Sequence, residues 1–141
     1  MAKDKTLEHL AAIPLFSGLS RKDLGHLRSL CSEVEVPKGK VLCKQGTVGY
    51  ECFVIVDGTA SVEADGHVLT TLGAGSYFGE LALLDKQPRS ATVTALSPMT
   101  VLVLGPRDFS TALSEVPGLA AKLLASMARR LREANSRLLA H

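Results

Sequence analysis

The chain has 141 residues, 46% of them hydrophobic, and a formal net charge of +2 at pH 7. This length suits one domain with a substantial core, and so small a charge does not indicate nucleic-acid binding. The N-terminus lacks an apolar signal segment, and no apolar run approaches the roughly 20 residues that cross a bilayer. Cys31, Cys43 and Cys52 form no CxxC pair, and an odd number of cysteines without a signal peptide is typical of a reduced, intracellular protein. We therefore expect a soluble, cytoplasmic protein with a single domain over residues 1–141.

Residues 5–31 are predicted to be helical. The segment "TLEHLAAIPLF" predicts a short helix that ends near Pro14, because the residue before a proline avoids the helical region. A second helix is predicted in "LSRKDLGHLRSL". Ser20 is suited to be its N-cap, and Leu24, Leu27 and Leu30 supply an apolar stripe.

Residues 33–105 have the pattern of short strands separated by turns. The predicted strands are "KVLCK", "CFVIV", "TASVEA", "HVLTTL", "ATVTAL" and "TVLVLG". Asp57-Gly58 and Asp65-Gly66 are dipeptides that favour the tight turns of β-hairpins. Regular short strands of this kind predict an antiparallel sandwich, jelly roll or barrel.

Residues 106–140 are predicted to form two helices, the first beginning at Pro106 and the longer one at Pro117. In the longer helix Leu124, Leu131 and Leu138 recur every seven residues. This stripe allows two copies of the helix to pair, or it packs on its own domain. A basic face runs along the same helix and is interpreted as an ordinary solvated face; it consists of Lys122, Arg129, Arg130, Arg132 and Arg137.

The stretch "FGELALLDKQPRSATV", residues 78–93, contains the candidate ligand-binding residues. It begins with a predicted helical turn over residues 79–84, whose first N–H groups lack partners within the turn and can face an anion. Gly79 allows a ligand to approach the backbone closely, Glu80 is a strong acceptor for sugar hydroxyls, and Arg89 offers a planar fork of donors suited to phosphate. The alternative is that Glu80 and Arg89 form a salt bridge that closes a loop.

The longer segment "FGELALLDKQPRSATVTA" closely resembles the phosphate-binding cassette of cyclic nucleotide-binding domains. The resemblance extends from about Leu10 to Leu139 and includes the glycine-bearing turns in "KGKVLCKQG" and "FVIVDGTASV". It implies a mainly β fold with flanking helices. That fold is an eight-stranded antiparallel jelly-roll barrel with N-terminal helices, a cassette helix between strands and two C-terminal helices. We call residues 78–93 the cassette.

The resemblance also implies roles for individual residues. Glu80 would accept a hydrogen bond from the ribose 2′-hydroxyl, and Arg89 would pair with the equatorial phosphate oxygen. The remaining contacts would come from backbone amides and a hydroxyl, at Gly79, Leu81, Ala82, Ser90 and Ala91. Further residues implied to line the pocket are Phe78, Val62 and Leu72.

Two features of ligand recognition stay open at this point. In the family an alanine at the position of Ser90 is often associated with cAMP and a threonine with cGMP; serine occurs in bacterial cAMP-binding members, so cAMP is favoured over cGMP. The base is usually capped by a residue of the last helix. No aromatic residue follows Phe109, so the candidates are Arg129, Leu131 and Arg132, the arginines by stacking on the base.

We therefore expect a non-catalytic sensor or regulatory module in which the bound nucleotide repositions the C-terminal helix. Its protein partner would be an unidentified effector or a second copy joined through that helix. We expect no membrane partner. We also expect no nucleic-acid partner, since no helix-turn-helix domain follows. No metal or further cofactor is expected, because only His67 of the four histidines lies in the strand region. The alternatives are a jelly-roll interaction module without a ligand, and a regulatory domain of a larger enzyme or channel.

Overall fold

The computed structural model describes residue 8 and residues 10–13, 15–79 and 88–139. Helical backbone at residues 10–12 precedes three complete helices, which are α1 (Arg21–Leu30), α2 (Pro106–Glu115) and α3 (Leu119–Leu139). The strands are β1 (Ser32–Val36), β2 (Val41–Cys43), β3 (Cys52–Asp57), β4 (Ala60–Ala64), β5 (His67–Leu72), β6 (Tyr77–Phe78), β7 (Thr92–Ala95) and β8 (Met99–Leu104). All pairings between them are antiparallel.

The eight strands form two four-stranded sheets with the orders β1-β8-β3-β6 and β2-β7-β4-β5. Consecutive strands therefore often lie in different sheets, as in a jelly roll. This confirms the predicted mainly β architecture with flanking helices. The sequence pattern located six of the strands but did not single out β1 and β6. Strand β1 alternates charged and apolar residues on a largely exposed surface, and β6 has only two residues.

Strand β3 is buried on both faces, and this explains its uninterrupted apolar sequence. Cys52 and Val54 pack with the helices on the outer face of the first sheet, whereas Phe53 and Ile55 pack in the barrel interior between the two sheets. Each fully buried aliphatic side chain of this kind contributes about 1.5–3 kcal/mol. The helices therefore form part of the core and hold one sheet of the barrel.

The two predicted hairpin turns have different outcomes. Asp65-Gly66 joins the paired strands β4 and β5, with φ angles of 53° and 80°, so that prediction is confirmed. The prediction for Asp57-Gly58 is wrong, because β3 and β4 belong to different sheets and the dipeptide carries the chain from one to the other. Gly58 has a φ of 99°, and a Cβ there would lie 2.6 Å from the carbonyl oxygen of Pro98. The dipeptide specifies the local backbone shape and not the partner of the next strand.

Two of the three predicted helix starts agree with the observed helix ends. Ser20 caps α1, its hydroxyl oxygen accepting a hydrogen bond of 3.0 Å from the Asp23 amide. Pro106 occupies the first turn of α2, where its missing N–H costs no hydrogen bond. Helix α3 begins at Leu119 and not at the predicted Pro117, because Gly118 between them has a positive φ of 81° that a helix does not allow.

Helix α3 buries one face on the domain through Leu119 and Leu123. Leu124 and Leu131 of the heptad stripe are 66% and 63% exposed, so these two residues do not pack on the rest of their own domain. None of the helices in the part of the chain that the structure describes is long and apolar enough to cross a membrane.

Candidate functional site

Arg89 is one of the few buried polar side chains among the described residues, with an exposed fraction of 8%. Its Nη1 donates a hydrogen bond of 3.0 Å to the carbonyl oxygen of Gly79, and its Nη2 donates one of 2.9 Å to the carbonyl oxygen of Glu51. Both acceptors are neutral carbonyls, and these two contacts use two of the five N–H donors of a guanidinium. The cation is therefore held in one orientation by uncharged backbone groups.

The backbone of Arg89 is fixed as firmly as its side chain. Its amide donates to the carbonyl oxygen of Thr47 at 2.8 Å, and its carbonyl oxygen accepts from the Gly46 amide at 2.9 Å. Gln45 anchors the loop that contains Gly46 and Thr47. Its side-chain amide donates to the Asp65 carboxylate and accepts from the Asp65 backbone amide, and its own backbone amide donates to the Thr92 hydroxyl oxygen. Residues about forty positions apart in the sequence thus form a single support for the Arg89 backbone.

Two glycines make room for the guanidinium. Gly79 has a φ of 91°, and a Cβ at this position would lie 2.5 Å from the Glu51 carbonyl oxygen and 2.8 Å from Arg89 Nη1. At Gly49 an added Cβ would lie 2.4 Å from Arg89 Nε. Arg89 therefore passes between two backbone segments whose approach requires the absence of side chains.

Strand β6 directly precedes Gly79, and its two side chains point to opposite faces of the sheet. Tyr77 packs towards the helices, whereas Phe78 is buried in the barrel interior, where its ring stacks on Phe53 with a centroid distance of 4.9 Å. Gly79 follows directly and presents its carbonyl oxygen to Arg89. The packing of Phe78 thus helps to fix the position of that carbonyl group.

The other cassette residues are placed less completely. Ser90 is exposed and Ala91 is half-buried, next to Arg89. Glu80, Leu81 and Ala82 lie outside the described residues, as does the predicted cassette helix. The alternative of a Glu80–Arg89 salt bridge also lies outside them, because it involves Glu80.

A cavity of about 270 Å³ lies between α3 and the turn that joins β5 to β6. The implied pocket residue Leu72 and the candidate base cap Arg129 both line it, whereas Leu131 and Arg132 do not and are exposed. The remaining lining residues are Leu15, Gly75, Ser76, Tyr77, Lys122, Ala125, Ser126 and Arg130. Val62 is half-buried and packs against the barrel interior.

This cavity is rich in cations and hydroxyl groups. Lys122, Arg129 and Arg130 reach it from one helix, and none of the lining residues that the structure describes is acidic. Tyr77 and Ser126 share a hydrogen bond of 2.5 Å between their hydroxyl oxygens across it. Such a surface favours an anionic or polar ligand over a neutral apolar one.

Sequence reasoning missed the supports of Arg89. The glycines of "QGTVG", residues 45–49, are typical of a turn, but they carry no information on which distant residue that turn contacts. Glu51 contributes only its backbone carbonyl group, which has no sequence signature. Tyr77 was not anticipated because β6 is too short to show a strand pattern.

Among the described residues, the arrangement is suited to recognise an anion. Among residues 10–13, 15–79 and 88–139, no cluster of three or more His, Cys, Asp or Glu side chains could hold a metal ion. A fixed cation beside glycine-rich backbone is suited to bind one phosphate group of a small ligand.

Comparisons with known proteins agree with this geometry. The family model described as the cyclic nucleotide-binding domain matches residues 33–115, more than half of the chain. A cyclic nucleotide-gated potassium channel of Rhizobium etli is 40% identical over 111 residues, which are 79% of this chain and 31% of that protein. The cyclic AMP receptor protein of Thermus thermophilus is 32% identical over 130 residues, covering 89% of this chain and 60% of that protein. The chain thus spans about a third of the channel and less than two thirds of the receptor protein.

Solved structures give the same result. The crystal structure of the Thermus thermophilus catabolite activator protein superposes with a TM-score of 0.83 at 33% identity, covering 89% of this chain and 61% of that one. A cyclic nucleotide-binding domain from Methylobacillus flagellatus superposes with a TM-score of 0.79 at 28% identity, covering 96% of this chain and 82% of that one. The chain therefore belongs to the family of cyclic nucleotide-binding domains.

Proposed function

We propose that the chain binds a cyclic nucleotide at the cassette, with the phosphate on Arg89, and that it acts as a non-catalytic sensor. The observation that carries this proposal is the buried Arg89 guanidinium, which two backbone carbonyl groups hold in one orientation. Because these contacts already restrict the rotamers of a long side chain, little further entropy is lost when a phosphate binds. Glu80 is proposed to accept from the ribose 2′-hydroxyl, and the amides near Gly79, Leu81 and Ala82 to face ribose and phosphate.

The proposed ligand is cAMP in preference to cGMP. Ser90 and the Ala91 amide would complete the phosphate site, and the exposed Ser90 hydroxyl is available to a ligand. The relatives include proteins named for cAMP, such as the Thermus thermophilus cyclic AMP receptor protein. Among the three candidate base caps we favour Arg129, because it alone lines the cavity beside α3 together with Leu72. An arginine in this position can stack on the face of a purine base.

The proposed response is a shift of α3 when the nucleotide binds, felt by a protein effector or a second copy. A ligand shifts such an equilibrium only as far as its affinity for the two conformations differs. The exposed Leu124 and Leu131 are seven residues apart, the spacing with which two α3 helices can pair. Sedimentation equilibrium of the wild type and of Leu124→Lys tests this pairing, since a monomeric wild type excludes it.

Calorimetric titration with cAMP and then cGMP tests the binding proposal. The protein is first denatured, freed of carried-over nucleotide and refolded. Arg89→Ala is expected to weaken binding by about 100-fold, since a charge-assisted hydrogen bond contributes roughly 1.5–3 kcal/mol and more than one is lost. The matched control is Arg107→Ala, which removes an exposed arginine of α2. Equal affinity of the wild type and Arg89→Ala would refute the role of Arg89. A folded wild type that binds neither nucleotide would favour the alternative of an interaction module without a ligand.

A further inference from the structure

Tyr77 makes two contacts with α3 from opposite parts of its side chain. Its hydroxyl oxygen lies 2.5 Å from the Ser126 hydroxyl oxygen, and its ring lies under the guanidinium of Arg130, with Cζ 4.6 Å from the ring centroid. Ser126 and Arg130 are four residues apart and so share one face of α3. The tyrosine therefore attaches strand β6 to one turn of the last helix. We call these two contacts the Tyr77 latch.

The latch is only two residues from the proposed phosphate site. Tyr77, Phe78 and Gly79 follow one another and contact three different parts of the molecule, respectively α3, the Phe53 ring and the Arg89 guanidinium. Phe78 is buried and pairs with Phe53 in the sheet, so the middle residue cannot move independently of the barrel. The same barrel-anchored backbone segment therefore fixes both the Tyr77 side chain against α3 and the Gly79 carbonyl group against Arg89.

We propose that Tyr77 is a positioning residue that couples occupancy of the Arg89 site to the placement of α3. The inference rests on the proposed function, and it assigns the coupling to the Tyr77 latch. In the conformation described here Arg89 is oriented for a phosphate while the latch is closed. The closed latch is therefore part of the conformation that binds, and the bound nucleotide strengthens it.

Thermodynamic linkage makes the coupling reciprocal. If nucleotide binding strengthens the latch, then loosening the latch weakens nucleotide binding by the same factor. Couplings between sites are typically about 5- to 150-fold in affinity, and a hydroxyl pair belongs near the lower end of this range. We expect about fivefold weaker cAMP binding when the hydroxyl pair is removed.

The test uses Tyr77→Phe, which removes the hydroxyl group and retains the ring beneath Arg130, and Ser126→Ala, which removes the other hydroxyl group. Calorimetry gives the cAMP affinity of each variant and of the double variant. Amide hydrogen exchange over residues 119–130 is measured with and without cAMP. Matched controls are Tyr50→Phe and Ser114→Ala, which alter the second tyrosine and an exposed serine of α2.

The expected result is a roughly fivefold loss of affinity in each single variant and little further loss in the double variant, because both remove the same hydrogen bond. In the wild type cAMP slows exchange in α3, and Tyr77→Phe reduces that response. A purely structural tyrosine would change stability but leave the response to cAMP unaltered.

Two outcomes overturn the inference in distinguishable ways. If the wild type binds cAMP and both variants show unchanged affinity and an unchanged α3 response, the latch does not couple the two sites, while the proposed function stands. If the folded wild type binds neither cAMP nor cGMP, the proposed function fails and the coupling falls with it.

Discussion

A methyl group at Gly49 tests whether the position of Arg89, and not merely its charge, determines nucleotide binding. The Cβ of Gly49→Ala would lie 2.4 Å from Nε, 2.6 Å from Nη2 and 2.8 Å from Cζ of Arg89. Ordinary van der Waals contact begins at 3.4 Å, so the guanidinium must retreat by about 1 Å, which is 3.4 − 2.4. The backbone itself tolerates alanine, since Gly49 has no positive φ.

This retreat is expected to displace the guanidinium from the two carbonyl oxygens and from the phosphate site. Losing one well-placed charge-assisted hydrogen bond to phosphate costs roughly 1.5–3 kcal/mol, so we expect cAMP affinity to fall by about 10- to 100-fold. The unfolding free energy should fall by only about 1–2 kcal/mol, because Gly79 and Glu51 are not buried and water can replace the donor.

Calorimetric titration and urea unfolding measure these two effects. The matched control is Gly25→Ala in α1, where an added Cβ meets no atom within 4 Å. Its nucleotide affinity should equal that of the wild type, and its stability should rise by about 0.5–1 kcal/mol. The double variant Gly49→Ala/Arg89→Ala should bind no more weakly than Arg89→Ala alone, since the methyl group acts only through the arginine. Wild-type affinity in Gly49→Ala, or additive losses in the double variant, would refute this reasoning.

Three further predictions concern Glu80, Cys31 and Ser20. Glu80→Ala should lose less affinity for 2′-deoxy-cAMP than for cAMP, and equal losses measured by calorimetry would contradict its ribose role. Burial raises the pKa of the Cys31 thiol from 9.0 to about 12, so the folded state retains a proton that the unfolded state releases. The unfolding free energy should therefore fall as the pH rises from about 9 towards 12, by up to about 1.4 kcal/mol per pH unit, and urea unfolding should show a smaller fall in Cys31→Ala. Ser20→Ala should lower the unfolding free energy by about 1 kcal/mol through loss of the α1 cap, and an unchanged urea midpoint would show that the cap contributes nothing.

Local chemistry was sufficient to locate most of the elements. The cap at Ser20, the first turn at Pro106 and the hairpin at Asp65-Gly66 depend on residues within a few positions of one another, so they can be predicted from the sequence. The apolar run of β3 likewise predicted a buried strand. The short strand β6 and the mostly exposed β1 have too little pattern to be recognised in this way.

The sequence by itself predicted the chemistry of the candidate site, because a glycine, an acid and an arginine in one cassette offer the groups that a ribose phosphate would need. The tertiary structure decided how Arg89 is held. Its acceptors are the backbone carbonyl groups of Gly79 and Glu51, and backbone groups are the same in every residue. Only the folded chain brings Gly49 against the guanidinium and Tyr77 against Ser126. Contacts across about 40 to 50 residues depend on how the loops, sheets and helices pack together, and this packing leaves no local pattern in the sequence.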